Sequence, residues 1–217
     1  MTPIERWLTL DTGAVSDALD KLGLAGVVSG IRPLTGPTKI AGRVVTVKLV
    51  EAIGPRAHRH LCTAAIEAAE PGDVIVVEHR TRDDCAGWGG LLSAAAKTRG
   101  LSGTLVDGAV RDVDESRELG YPVFARAAVP KTARGRIVED SWNLTVTIGE
   151  IEVHPGDLVI ADSSGVVFVG AARERDVFEA AEAIARREHR MAEAVRAGTP
   201  VSQVLGDDYE WMTSSKP

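Results

Sequence analysis

The chain has 217 residues, 44% of them apolar and 26% charged, with a net charge of −6 and an isoelectric point near 5.4. That is the composition of an ordinary globular protein, long enough for one well-cored domain. Basic residues are interspersed with acidic ones, which argues against nucleic acid as a partner, and no apolar run approaches the roughly 20 residues of a membrane span. Met1 to Trp7 carry no signal-peptide pattern. Cys62 and Cys85 lack a CxxC spacing or a His partner, so both read as reduced thiols in a cytoplasmic protein.

The first strong helix signal is Leu10 to Gly23, with Asp11 or Thr12 as cap, Val15, Leu19 and Leu22 as stripe and Gly23 as stop. Ile31 to Pro37 is turn-rich. Ala41 to Val50, β-branched at 44 to 47, reads as a strand, and His58 to Ala69 as a helix. Pro71-Gly-Asp leads an apolar strand to Val77, and Pro155-Gly-Asp leads another to Ala161. The echo places two strands in related positions of one fold. Between them come a helix Leu91 to Arg99, a strand Gly103 to Asp107 closing on a Gly108 turn, and a helix Asp114 to Leu119. Strands at 122–125, 144–148 and 166–169 follow. The last helix runs from Arg173 to Ala197. Strands and helices alternate, so the fold class is α/β, and no linker divides residues 1–217.

Three features point to chemistry. Gly89 and Gly90 open an Ala-rich helix, and the first amides of a helix lack internal partners and carry the positive end of its dipole. A ligand carboxylate therefore fits the amides of Leu91 and Leu92. Arg111 and Asp112 follow the next strand, where ligands of α/β folds gather. An arginine fork grips carboxylates, and an aspartate suits Mg²⁺ or Mn²⁺. Glu115 lies one helical turn beyond Asp112, so both carboxylates face one way. It reads as a second metal carboxylate or as an acid favoured by the helix dipole. Asp107 either orients Arg111 or caps the turn.

Glu188 falls on the apolar stripe of the last helix, about 20° from Val177. It reads either as a carboxylate paired with Arg187 or Arg190, or as one delivered into a site, including that of a neighbouring subunit. Lys97, late in its helix beside Arg99, reads as solvated rather than as a Schiff-base lysine. His58 and His60 lack a matching acid motif. GxSxG and Walker patterns are absent, as is a methyltransferase-type nucleotide loop.

These residues resemble the RraA-like family, which includes class II pyruvate aldolases acting on 4-hydroxy-4-methyl-2-oxoglutarate and 4-carboxy-4-hydroxy-2-oxoadipate, and regulators of ribonuclease E activity. The resemblance runs from Val15-Ser-Asp-Ala-Leu19 through Pro71-Gly-Asp73, Gly89-Gly-Leu-Leu92 and Gly108-Ala-Val-Arg-Asp112 to the segment Pro155–Val167. Its central pattern is Gly90, twenty residues, Arg111-Asp112, two residues and Glu115. It implies an α-β-β-α sandwich assembled as a homotrimer or a hexamer of two trimers, with sites between subunits. It further implies Mg²⁺ or Mn²⁺ at Asp112, Arg111 on a small 2-oxo acid, and the 91 and 92 amides on its carboxylate. A glutamate from an adjacent subunit reaches family sites, and Glu188 is the candidate here. Aldolases of the family carry an aspartate where this chain has Gly90, and Glu115 is placed to restore that carboxylate. The implied activity is a metal-dependent aldolase with oxaloacetate decarboxylation. The alternative is a non-catalytic protein that binds and inhibits a ribonuclease E-type assembly.

Overall fold

A computed structural model describes residues 3–53 and 60–206. In chain order the elements are α1 (Pro3–Trp7), α2 (Thr12–Leu22), β1 (Val27–Val28), β2 (Arg32–Thr35), β3 (Ile40–Glu51), α3 (Thr63–Ala68), β4 (Val74–Ala86) and α4 (Gly90–Thr98). Then come β5 (Gly103–Val110), α5 (Val113–Glu118), β6 (Val123–Ala128), β7 (Ile137–Trp142), β8 (Val146–Ile148), β9 (Ile151–Val153), β10 (Leu158–Ala161), β11 (Val166–Val169), α6 (Glu174–Arg196) and α7 (Val201–Val204).

The main sheet has the order β1-β11-β10-β3-β4-β5-β6-β2, and β7 also pairs with β3. β3, β4, β5 and β6 are parallel to one another, whereas β10, β11 and β1 join antiparallel. The long strand β3 belongs to both regions. Ile40–Arg43 pair with β10, and Val44–Lys48 pair with β4. At the changeover a side chain on residue 42 would meet the carbonyl oxygen of Gly72 at 2.4 Å, so only glycine allows the backbones this close.

Alternation along the strands sorts their side chains into two faces. Val74 and Val76 point to one face, with Leu105, Phe124, Val159 and Phe168, and there they meet Val146, Ile148 and Val153 of the β8–β9 hairpin. Ile75 and Val77 point the other way, into a cluster with Leu92, Ala96 and Tyr121 under α3, α4 and α5. Leu158 and Ile160 point outward beneath α1, α2 and α6, against Trp7, Leu19 and Val177. The sheet thus curls around one apolar centre and is covered by helices on both outer surfaces, an α-β-β-α arrangement.

The Pro-Gly-Asp echo has a structural basis. β4 and β10 flank β3 on its two sides. Each is entered by the same turn, in which the aspartate carboxylate accepts the amide three residues back, Glu70 for Asp73 at 2.9 Å and His154 for Asp157 at 2.8 Å. α2 also forms as its sequence predicts. Asp11 caps it by accepting from the Ala14 amide, and Gly23 ends it in the left-handed region.

Several expectations need correction. The turn-rich stretch 31–37 contains β2, an edge strand that tolerates Pro33 because no partner needs its missing N–H. The helix expected from His58 starts at Thr63. His58 itself lies outside the described residues, and His60 is exposed with Nδ1 near the Leu61 carbonyl. β5 does not stop at Asp107 but runs on to Val110. Gly108 makes no turn; a side chain there would strike His79 at 2.5 Å and the Arg82 carbonyl at 2.8 Å. Local patterning does not signal β7, whose sequence is mostly polar, or β9, whose Ile-Glu-Val alternation is only three residues long. Among the described residues no helix is long and apolar enough to cross a membrane.

α6 packs on α2, and Val177, Ala181 and Ile184 fill the interface. Farther along, the charged neighbours of Glu188 are Asp11 and Asp17. Burial, then these two acids, hold the Glu188 carboxyl above the usual carboxylate range, and burial with Asp20 and Asp11 does the same for Asp17. A raised folded-state value means stability that is full below the unfolded-state pKa of about 4 and lost as pH rises through the folded-state value. Glu188→Gln is therefore expected to melt above wild type at pH 7, with the difference closing by about pH 4. Thermal melts across that range check it, and an equal or lower melting temperature at pH 7 contradicts it.

Candidate active site

The N-termini of α4 and α5 converge at the carboxyl ends of β4 and β5. Asp112 sits in the left-handed region (φ 55°, ψ 41°), a conformation that aspartate tolerates better than most residues. Its side chain does not cap its own helix. Instead Oδ2 accepts the amide of Gly90 at 3.1 Å, capping α4 from outside. The same oxygen accepts from Arg111 Nε at 3.2 Å. This pair is about 40% and 35% exposed, so it contributes little to stability. It does leave both groups presented to solvent.

Gly89 and Gly90 leave space for neighbouring side chains and are not called for by backbone angle. Gly89 is extended (φ −157°). A Cβ on it would meet Asp112 Oδ2 at 2.8 Å and Arg111 Cγ at 3.3 Å. A Cβ on Gly90 would lie 2.0 Å from Glu115 Oε2. The Glu115 carboxylate therefore occupies the volume that a side chain at position 90 would fill. Beyond Gly90, the first internal bond of α4 is Ser93 N–H to the Gly89 carbonyl at 3.1 Å. Among the described residues the amides of Leu91 and Leu92 donate to no group, and Leu91 is 81% exposed.

Seven of the eight residues expected at the site, Gly89, Gly90, Leu91, Leu92, Arg111, Asp112 and Glu115, thus form one cluster. Glu188 does not join it, since its neighbours in this chain are the α2 acids. Asp107 takes neither expected role. It is 2% exposed, paired with Arg126, and accepts the Gly149 amide at 2.9 Å, so it anchors the β8–β9 hairpin beneath the sheet. Arg126 also donates to the Ser29 carbonyl at 3.1 Å. Lys97 donates to the Leu119 carbonyl at the end of α5 and stays exposed, which suits a strut and not a desolvated nucleophile.

Both cysteines are fully buried and free. Burial pushes both thiols up, which disfavours the reactive thiolate. A cleft of about 290 Å³ near His79, Arg80 and Arg82 has its cations engaged, Arg82 by Asp84 at 2.8 Å and Arg80 by Glu78 at 3.4 Å.

Among the described residues no group of three or more His, Cys, Asp or Glu side chains is gathered to hold a metal. Asp112 and Glu115 supply two carboxylates on one side of Gly90. That donor set fits Mg²⁺, which takes one or two protein carboxylates and keeps several waters.

A fold of this kind with this cluster defines a class. The model for RraA-like proteins, described as Aldolase/RraA, matches residues 12–168, and the chain belongs to that family. It is 34% identical to a Halalkalibacterium halodurans protein named "Putative 4-hydroxy-4-methyl-2-oxoglutarate aldolase", over 82% of this chain and 81% of that protein. It is 28% identical to protein DlpA of Legionella pneumophila over 98% of this chain, which spans only 35% of DlpA. Of solved structures, an uncharacterized Pseudomonas syringae protein superposes with TM-score 0.84 at 31% identity, covering 95% of this chain and 100% of that one. Streptomyces coelicolor RraAS2, an unusual member of the RNase ES inhibitor RraA family, gives 0.76 at 24% identity, covering 90% and 95%, a likeness of fold.

Proposed function

We propose that the chain is a divalent-metal-dependent lyase that cleaves a 4-hydroxy-2-oxo acid, such as 4-hydroxy-4-methyl-2-oxoglutarate, to pyruvate and a second oxo acid, and that also decarboxylates oxaloacetate. The observation that carries this reading is the Gly90–Asp112 hydrogen bond, which joins open helix amides, an arginine and two carboxylates in one cluster. Relatives named as aldolases support the reaction class.

Asp112 and Glu115 would hold Mg²⁺ or Mn²⁺, which when bound supplies Lewis-acid stabilisation of charge on the keto oxygen. The amides of Leu91 and Leu92, at the positive end of α4, take the substrate carboxylate. Arg111 faces the keto group and neutralises charge that develops as the C3–C4 bond breaks; the C4 hydroxyl gives its proton to water at the open site as it becomes the second product's carbonyl, and C3 of the enolate takes a proton back to form pyruvate. Loss of CO₂ from oxaloacetate places the same charge on the same atoms. Glu188 enters from a neighbouring copy in a cytoplasmic homotrimer or hexamer of two trimers.

Three outcomes test this. Wild type with Mg²⁺ is expected to release pyruvate from oxaloacetate and from 4-hydroxy-4-methyl-2-oxoglutarate, with the release lost in EDTA and cut about 10²–10³-fold in Asp112→Ala. Release no greater than from metal alone would shift the reading to a binding protein that inhibits a ribonuclease assembly. Gly90→Asp alone is expected to displace Glu115 and reduce turnover. Gly90→Asp with Glu115→Ala should restore it, and a double variant as inactive as the worse single one contradicts the exchange. Finally, inactive Asp112→Ala and Glu188→Ala chains are expected to regain activity when refolded together; no recovery would confine Glu188 to its contact with α2.

A further inference from the structure

We propose that Ser93 and Ser116, held together beneath the site by the indole of Trp88, are positioning residues for the reaction. They set the spacing between the α4 amides and the carboxylates of Asp112 and Glu115. The proposal rests on the lyase reading above.

The two serines are 0% and 1% exposed, and their hydroxyl oxygens lie 2.8 Å apart. Trp88, itself buried, donates its indole N–H to Ser93 Oγ at 2.9 Å. Ser93 and Ser116 are not arbitrary positions on their helices. Ser93 N–H closes the first turn of α4 on the Gly89 carbonyl at 3.1 Å, and Ser116 N–H closes the first turn of α5 on the Asp112 carbonyl at 3.0 Å. A bond between their side chains therefore fixes one first turn against the other. Trp88 spans the same junction, because its carbonyl accepts the Arg111 amide at 3.0 Å while its ring holds Ser93. The far ends of the helices are joined separately, by Lys97 and the Leu119 carbonyl.

Stability alone does not call for this arrangement. Serine is a poorer helix former than alanine, and Ala94, Ala95 and Ala96 follow Ser93 directly. Replacing a buried hydrogen-bonded pair by apolar groups of the same shape is often neutral for folding. What alanines cannot provide is a directional link that holds two helix N-termini at one separation. A small misplacement of groups that act together costs up to about 10²-fold in rate.

Ser116→Ala is the cleanest test, since Ser93 Oγ still accepts from Trp88 and has the Gly89 carbonyl at 3.4 Å to donate to. Its kcat on oxaloacetate with Mg²⁺ is expected to fall about 10–100-fold, with KM changed far less and the melting temperature close to wild type. Trp88→Phe, which removes the indole N–H together with part of a buried ring, should shift kcat the same way and also lower the melting temperature. Wild-type kcat in both variants, or a loss that merely follows the unfolded fraction, would overturn the proposal. Amide hydrogen exchange separates failure of the clip from failure of the lyase reading. If wild type turns over no 2-oxo acid, the clip still predicts that Ser116→Ala speeds exchange of the bonded amides at both helix starts together, those of Gly90 and Ser93 and that of residue 116. Loosening of one helix without the other sinks it.

Discussion

The hydrogen bond from the Gly90 amide to Asp112 is the constraint on which the rest of the site depends. Helix α4 begins with two glycines and so has no side chain of its own to cap it. The cap comes from the end of the neighbouring strand, and it comes only because Asp112 takes up a left-handed conformation that turns its carboxylate away from α5. One bond thus completes a helix terminus, orients a carboxylate and draws Arg111 beside it. It also consumes just one of the free amides of α4. Those of Leu91 and Leu92 are left facing outward with the helix dipole behind them.

The same device appears on the other outer surface. Asp162, directly after β10, accepts from both the amide and the hydroxyl of Thr12 at the start of α2. Those bonds pull its carboxyl below the usual range against the effect of burial. In both places a strand delivers an aspartate to a helix that lies outside the sheet. The difference is in what surrounds it. Both oxygens of Asp162 are taken by Thr12 and the Ser164 amide, and α2 carries Asp11 as a cap of its own. At α4 the glycines keep side chains out of the way and leave the terminus accessible. A capping interaction is structural at one end of the molecule and forms a candidate site at the other, and two glycines make the difference.

Much of this was legible in the sequence. Local rules predict α2, α6 and the two Pro-Gly-Asp turns, because each rests on a cap, a glycine stop or an apolar period within a few residues. The pairing of Gly89-Gly90 with Arg111-Asp112 was legible too, since both lie at the start of a helix that follows a strand. What escaped depends on distant partners. Asp107 reads as a neighbour of Arg111 four residues on, but it lies inside β5 on the same inward face as Leu105, where Arg126 and Gly149 wait, while Arg111 comes after the strand has ended. Gly108 looked like a turn because nothing nearby announces that His79 lies against it. Ser93 and Ser116 are single serines in short helices, and only folding brings their hydroxyls together.

The placing of the Glu115 carboxylate over Gly90 bears on how such a site diversifies. With 2.0 Å between the position of a Cβ at 90 and the Glu115 oxygen, the two positions cannot both carry a side chain into that space. A carboxylate can be supplied from α4 or from α5, but not from both without rearrangement. Moving it from one helix to the other retains the charge near Asp112 and changes its reach, because a glutamate on α5 approaches across the glycine rather than rising from it. The amides of α4 and the Arg111–Asp112 pair are untouched by that exchange, so under the proposed lyase reading recognition of a carboxylate is separable from the choice of what lies beyond it. Substrate range in this architecture is then expected to follow the 90/115 pair more closely than it follows the capping bond beneath.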